Sequence, residues 1–419
     1  TVTARLVGHR AQLVLVLLVC LAVRLACLRF YGIDPAVDVV NPDDWDAVAT
    51  NLVRGRGYTL YAPQAGVYDW DLTRSAWAYR PTMRVPPVYP LVLAALYGVV
   101  GVDHRAGLLA QVCFDVLTGW VVYRIGTRLF DRRVGLLAAL GWGVYLPEVT
   151  SVLRLRSEPL FTLLLCVCVW SFLAAIRRPS SPRFALTGVL VGLAALCRPS
   201  MVGVAALFLL YAAMRGRASL VPSLTVLAVL APWMIRGTLL FGTVVPVATN
   251  GGYSLYRSIF TISRPDYLTH EPPDFVRAYT TFRETLRQQP TLHVPKDEAD
   301  LDRMFRNEAW RLIRAHPFRY LHVCADSLMR LWFRLYGGRF AGWKDTLTGV
   351  MNAGLLLLAG FGLRRGGIRQ SRALAGLIVY NSLFYAMTLA DPRYNLPIIP
   401  LVLILSARGV MNMFTRWHV

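Results

Sequence analysis

Apolar runs alternate with short, arginine-rich turns along most of this chain, and that alternation limits what it can fold into. A lipid bilayer accepts only helices and closed barrels, because every backbone N–H and C=O must find its partner within the protein. Apolar runs of near-spanning length therefore predict an all-α polytopic membrane protein. The composition agrees. Of the 419 residues, 55% are hydrophobic and only 16% are charged, and the mean hydropathy is +0.45.

The basic residues set the expected orientation. Arg5, His9 and Arg10 precede the first run, residues 12–30, and place the N-terminus in the cytoplasm. No cleavable signal pattern precedes that run, so it is expected to remain as an anchor. Residues 90–102 are apolar but short for a span. Read as a juxtamembrane helix, they leave Arg124, Arg128, Arg132 and Arg133 inside, followed on the same side by the turns RRPSSPR, RGR and RRGGIRQSR. Spans are then expected at 106–123, 134–146, 159–176, 184–196, 202–214, 218–235, 347–363, 374–389 and 396–411. An amphipathic helix at 320–336 is either a surface helix or a further span. The total is about ten or eleven.

Three parts follow from this layout. Residues 1–235 form a transmembrane catalytic module that includes an outer loop at 31–105. Residues 236–346 form an extracytoplasmic helical segment covering the site, with polar helices expected at 274–289 and 298–315 and Pro317 as punctuation. Residues 347–419 are C-terminal transmembrane helices. The formal charge of +21 arises from 45 Lys+Arg against 24 Asp+Glu, but it is scattered between apolar runs, which excludes nucleic acid as the partner. The seven cysteines (Cys20, Cys27, Cys113, Cys166, Cys168, Cys197 and Cys324) lack metal spacing on a loop and are expected as buried free thiols.

The outer loop holds the stretch on which the function turns, NPDDWDAVATNLVRGRGY from Asn41 to Tyr58. Asn41 suits an N-cap, Pro42 the first turn, and Asp44 follows three residues on. Ala47, Val48, Leu52 and Val53 then recur at helical spacing, and Gly55 and Gly57 stop the helix. Helix capping alone accounts for Asp43 and Asp44 in an ordinary protein. At a membrane surface, a second reading opens. On the same expected face lie Arg80, Arg84, Arg154, Arg156, Glu158, Arg198, Arg236 and Arg393, the last beside Tyr394. Burying charge near lipid is costly unless the charges share a task.

A few acids facing several arginines suit a reaction in which an acceptor loses a proton while a phosphate leaves. An aspartate takes the proton as general base. Arginines grip the phosphate and stabilise its developing charge. A carboxylate acting from the side opposite the leaving group gives inversion, as in inverting glycosidases. Simpler alternatives stay open for single residues. Snorkelling explains Arg84, the helix dipole explains Glu158, and a flank that stops membrane transfer explains Arg393. Arg198 sits between two apolar runs where Pro199 breaks the chain, and is harder to dismiss. His316 and His322 have no partner at ligand spacing and are expected at the surface.

Taken together, these residues resemble a bacterial GT-C glycosyltransferase of the protein-mannosyltransferase and aminoarabinose-transferase type, nearly from end to end. The likeness rests on Asp43, Asp44, Ala49, Asn51, Leu52, Gly55, Gly57 and Tyr58. It continues through the R-x-P-P-x-Y-P run from Arg84 to Pro90, SEPLF from Ser157, GLAALCRP from Gly192, APWMIRG from Ala231 and DPRYNLPIIP from Asp391. The resemblance implies a GT-C fold and inverting transfer of a sugar from a polyprenyl-phosphate donor at the outer leaflet. It implies Asp43 as base, Asp44 as the second acid, Arg84 on the donor phosphate, and Glu158 positioning substrate or base. The family's aromatic follows the first acid by four positions, whereas Trp45 follows Asp43 by two, which leaves Asp43 and Asp44 exchangeable as base.

Arg80, Arg154, Arg156, Arg198, Arg236, Arg393 and Tyr394 complete the expected phosphate and acceptor contacts. No cofactor is required, although Asp43 and Glu158 would suit a divalent metal ion. The partners expected are the lipid-linked donor, membrane lipids, and a glycan, lipid or protein acceptor. The expected location is a bacterial inner membrane with the site on the extracytoplasmic side. A lipid-linked sugar flippase, or a ligase using a diphosphate lipid, is the competing reading. A flippase, however, calls for charges at the membrane midplane rather than crowded on one surface.

Overall fold

The computed structural model describes residues 2–31, 44–61, 79–206, 220–264, 277–278, 280–282, 284, 295–336, 339–340, 342–364 and 369–414. Among them, helices dominate. The first half runs through α1 (Val2–Tyr31), α2 (Asp44–Val53), α3 (Val88–Val100), α4 (His104–Leu129), α5 (Arg132–Val144), α6 (Leu146–Val149), α7 (Glu158–Arg177) and α8 (Ser181–Ala195). After it come α9 (Leu220–Phe241), α10 (Gly251–Ile259), α11 (Glu298–Ala315), α12 (Pro317–Phe333), α13 (Trp343–Arg364), α14 (Arg369–Met387) and α15 (Ile399–Phe414). A two-stranded antiparallel ribbon, β1 (Thr59–Tyr61) with β2 (Tyr79–Pro81), pairs Leu60 with Arg80.

Six segments are long and apolar enough to cross a membrane: Arg10–Phe30, α4, α7, α9, α13 and Pro392–Phe414. A seventh arises if α5 and the following Leu146–Leu153 are one span bent by 52°. Pro147, lacking an N–H, sits at that bend. The ten or eleven spans expected from sequence also included α8, α12, α14 and residues 202–214. The first three are helices that fall short in length or apolarity, and 207–219 lie outside the described residues. Of residues 90–102, expected to lie along the membrane rather than cross it, 90–100 belong to the short apolar helix α3, and Gly101 ends it.

Helix α4 is packed by α1, α5 and α7, and α15 is packed by α5 and α13. Small residues set the closest approaches, as expected where lipid supplies no hydrophobic drive between helices. A Cβ built on Gly126 of α4 would come 2.8 Å from the Gly135 Cα of α5. Between α13 and α15 the fit is tighter. A Cβ on Gly362 would meet the Leu405 carbonyl oxygen at 2.2 Å, and one on Gly409 the Leu358 oxygen at 2.1 Å.

Inside this bundle lies an ionic group that reading the runs as merely apolar overlooks. Arg24 of α1, fully buried, places its Nε 2.7 Å from Asp115 Oδ2 of α4 and donates to the Gly143 carbonyl at 3.1 Å. Glu148, fully buried on α6, lies within electrostatic reach of both. A charge this deep in an apolar helix is retained only when paired. Not all the cysteines are buried as expected: Cys113 is exposed and Cys324 half-buried, while the other five are buried and all seven are free. Cys113 falls on the outward side of α4, where an apolar thiol faces surroundings that suit it.

The segment after α9 has its own core. Tyr256, Phe282 and Phe305 meet there, with the Phe282 and Phe305 rings stacked at 4.0 Å. Asp302 of α11 receives the Gly252 and Tyr253 N–H groups at 2.7 and 3.2 Å, fastening the start of α10. Helix α11 has the bounds expected from sequence. Asp297 caps it by accepting from the Asp300 N–H at 2.8 Å. Pro317, expected as punctuation before a helix at 320–336, instead opens α12 and shifts that helix to Pro317–Phe333. Most of the helix expected at 274–289 lies outside the described residues.

Candidate active site

Two charged groups lie close together at one end of the bundle. The first is built on α7. Ser157 and Pro159 flank Glu158 at the helix start, so its side chain projects where the backbone N–H groups are unpaired. Only 2% of Glu158 is exposed. Its Oε1 lies 3.1 Å from Arg198 Nη1 and 3.6 Å from Arg393 Nε. Arg156 adds a third positive charge within electrostatic reach.

Each arginine is delivered by a break in a helix. Arg198 follows the end of α8, where Pro199 opens a short 3-10 turn and prevents the helix from continuing. Arg393 belongs to the 3-10 turn Pro392–Ile398, capped by Asp391, which accepts the Arg393 N–H at 3.0 Å. Tyr394 lies between them. The Arg198 and Arg393 guanidiniums sit 4.9 and 5.2 Å from its ring, and Tyr385 stacks on it at 4.6 Å. The Arg198 guanidinium is thus held by a carboxylate and a ring, and that of Arg393 also by Asp391, whose Oδ2 lies 3.5 Å from its Nε; the two are 12% and 27% exposed. They can still be reached by an anion.

The second group is built on α2. Asp44 is its first residue, and its Oδ2 lies 3.1 Å from Arg84 Nε. Asn41, Pro42 and Asp43 lie outside the described residues, so the expected N-cap and the expected first acid go with them. Gly55 and Gly57 end the helix as expected. Both have φ of +72°, a conformation open to glycine without cost. Asn51 then donates to the Thr59 carbonyl at 2.9 Å and ties α2 to β1.

Backbone contacts join the two groups. The Val88 N–H donates to the Leu196 carbonyl at 3.1 Å, binding the run after Arg84 to the run before Arg198. Tyr89 is fully buried just beyond, within electrostatic reach of both Glu158 and Asp46. Its hydroxyl lies 2.8 Å from Gln111 Oε1, which also accepts the Arg156 N–H at 2.8 Å, while Gln111 Nε2 donates to the Arg154 carbonyl at 2.9 Å. Gln111 thereby positions the loop that leads to Glu158.

Other expected residues stand apart. Arg80 is exposed on β2, and the Arg154 side chain is exposed, with no ion pair among the described residues. Arg236 directs two nitrogens to the Thr82 and Tyr58 carbonyls at 2.9 and 3.2 Å and packs against the Tyr58 and Trp233 rings. It clamps the β-ribbon to α9. Among the described residues no three His, Cys, Asp or Glu side chains are placed to hold a metal ion.

The sequence reading missed three features. Asp46 is buried, accepts the Tyr97 hydroxyl at 2.6 Å and lies 3.2 Å from His104 Nδ1. Gln111 is the second. Glu298 is the third: it accepts the Met83 N–H and, at 2.8 Å each, the Thr82 and Thr249 hydroxyls, locking α11 onto the residues just before Arg84. Burial pushes the Glu298 carboxyl above its ordinary range, and these three donors with the Arg84 charge pull it partly back. Asp46 stood in the motif beside Asp44, which is the one signal that pointed to it.

This architecture has known counterparts. The chain matches the Archaeoglobus fulgidus oligosaccharyltransferase tethered to an acceptor peptide containing the NVT sequon, with a TM-score of 0.57 and 12% identity over 98% of this chain and 50% of that one. It also matches the oligosaccharyltransferase AglB of Archaeoglobus fulgidus in complex with an inhibitory peptide and a dolichol-phosphate, with a TM-score of 0.54 and 13% identity over 98% and 51%. The chain thus spans about half the length of these proteins and has the GT-C fold of multi-pass membrane enzymes. Residues 84–236 match the family described as dolichyl-phosphate-mannose-protein mannosyltransferase. That region holds Arg84, Glu158 and Arg198. No curated protein matches the sequence.

Proposed function

We propose that this protein is an inverting glycosyltransferase that moves a sugar from a polyprenyl-phosphate donor to an acceptor at the extracytoplasmic face of a bacterial inner membrane. The observation that carries this reading is the meeting of Glu158, Arg198 and Arg393 beside the Asp44–Arg84 pair. The dolichol-phosphate named with one structural neighbour supports a lipid phosphate as the donor's carrier.

In this scheme the acceptor's heteroatom attacks the anomeric carbon from the face opposite the phosphate. The bond from that carbon to the phosphate oxygen breaks, and its electron pair leaves with the polyprenyl phosphate. The acceptor proton passes to the Asp43–Asp44 pair, with Asp43 proposed as the base because Arg84 already engages Asp44. Arg84, Arg198 and Arg393 offset the charge that grows on the departing phosphate. Glu158 positions Arg198 and Arg393, and the helical segment 236–346 covers the site from above. Arg156 and Tyr394 flank the guanidiniums in this proposal, whereas Arg80, Arg154 and Arg236 stand outside the site.

The experiment is single-turnover transfer from a labelled polyprenyl-phosphate sugar by the purified protein in lipid. Release of polyprenyl phosphate with an inverted glycosidic linkage is the expected result. Movement of the intact donor between leaflets without cleavage would replace the transferase reading with a flippase. Cleavage of only a diphosphate-linked donor would make the protein a ligase.

A further inference from the structure

The C-terminal end of α7 carries a different feature. Arg177 and Arg178 close that helix, and with Arg124, Arg128, Arg132 and Arg183 they surround a cavity of about 920 Å³. No carboxylate is among the described residues lining it. The nearby Asp131 is engaged elsewhere. It caps α5 by accepting the Arg133 and Val134 N–H groups, and it pairs with Arg408 at 3.8 Å.

The arginines have found backbone carbonyls instead of acids. Arg183 donates to the Arg178 carbonyl at 2.6 Å, Arg177 to that of Arg128, and Arg128 Nη2 to that of Leu173 at 3.5 Å. Two buried polar atoms on the wall, Arg128 Nε and Thr127 Oγ1, have no hydrogen-bond partner among the described residues. Leaving such groups unmade costs about 1–3 kcal/mol each. Six like charges around one space also repel one another. An anion with several acceptor oxygens would relieve both, and the planar guanidinium fork matches phosphate.

Position identifies the anion's source. Helix α7 has 20 residues, so at 1.5 Å per residue its ends lie about 30 Å apart, one hydrocarbon thickness. The cavity therefore lies at headgroup level on the face opposite Glu158. Arg124 is held 5.3 Å from both the Trp120 and Trp170 rings, aromatics of the kind that settle at membrane interfaces. On the positive-inside reading this face is cytoplasmic, where the leaflet is anionic and basic pockets between spans take phospholipid headgroups. The arginines fall in two sets by the elements that carry them, 124, 128 and 132 on α4 and the start of α5, and 177, 178 and 183 on the end of α7 and the start of α8. We propose that this cavity binds a phospholipid headgroup bearing two phosphodiesters, of the cardiolipin type, one phosphate to each set.

The test is native mass spectrometry and thermal melting of the full protein with phosphatidylcholine, phosphatidylglycerol or cardiolipin, and with soluble pyrophosphate. Cardiolipin should bind at least about tenfold more tightly than phosphatidylglycerol and raise the melting temperature by several degrees. The Arg124→Gln/Arg128→Gln variant should lose that preference. Because Arg128 is partly buried, Arg178→Gln/Arg183→Gln, at exposed positions of the other set, serves as a second variant and should lose it too. Cardiolipin binding unchanged in both variants would overturn the proposal. So would equal binding of phosphatidylglycerol, or pyrophosphate that gives the same shift and displaces the lipid.

Discussion

At one end of α7 the Glu158 carboxylate lies 3.1 Å from Arg198 and 3.6 Å from Arg393; at the other, six arginines ring a cavity with no acid among the described residues that line it. The same helix thus ends in a compensated charge cluster and in an uncompensated one. A buried acid fixes the geometry of its arginines, because three interacting groups have few ways to stay paired in a low dielectric. Arginines tied only to carbonyls remain electrostatically unsatisfied. The first arrangement suits orienting a reacting phosphate, and the second suits holding a phosphate that does not react.

Breaking the compensated end should have the largest effect. Glu158→Ala strands the Arg198 guanidinium and leaves Arg393 only the half-exposed Asp391, and is expected to cost about 3–5 kcal/mol of stability, with transfer abolished. Melting and single-turnover assays read both, and a variant that melts and turns over as wild type would end the positioning role. Next, Asp43→Asn should lower turnover by about 10²–10⁴-fold with donor affinity intact. If Asp44→Asn does so instead, the base is Asp44. Arg198→Lys and Arg393→Lys keep the charge but lose the fork, so turnover should fall by roughly tenfold or more through weaker stabilisation of the leaving phosphate.

A smaller effect is expected at Glu298. Its carboxyl is raised in the folded protein, so its favourable contribution to stability is full below its ordinary value of 4.5 and is lost as pH rises through the raised one. Glu298→Gln should therefore flatten the fall in melting temperature above that pH. Glu298→Ala should lower melting at every pH by leaving the Met83, Thr82 and Thr249 donors unpaired. A melting profile in Glu298→Gln as steep as in the wild type would assign the pH dependence to another group. The smallest effect on catalysis belongs to the arginine cavity: Arg178→Gln/Arg183→Gln should leave turnover in phosphatidylcholine unchanged, measured in the same assay.

What could be read from the sequence follows a physical divide. Apolar period, arginine-rich turns and capping residues are local, and they located α2, α11 and the spans at 106–123 and 159–176. Arg198 was also legible, because it sits where Pro199 interrupts an apolar run and charge there needs a reason; Glu158 and Arg393 were legible as members of the charged set on one expected face. Partnerships were not legible. Nothing local says that Glu298 reaches 215 residues back to Met83, or that Gln111 binds the loop before Glu158. Arg24 and Asp115 hid for another reason: a single charge inside a long apolar run barely changes its average, and Glu148 lies just past the run expected at 134–146. The rule that such a charge must be paired would have marked Arg24 and Asp115. Arg236 shows the converse. It was expected on phosphate or acceptor, but the Thr82 and Tyr58 carbonyls took its donors.

The paired glycines Gly362 and Gly409 carry a consequence for evolution of the C-terminal helices. With no room for even one methyl group between α13 and α15, neither helix can slide along the other in small steps. Helix α15 continues directly from the turn that bears Arg393, so that arginine inherits its depth from the contact at Gly409, 16 residues away. Homologues that alter substrate choice are then free to vary loops and tips, while this seam admits only changes made on both sides at once.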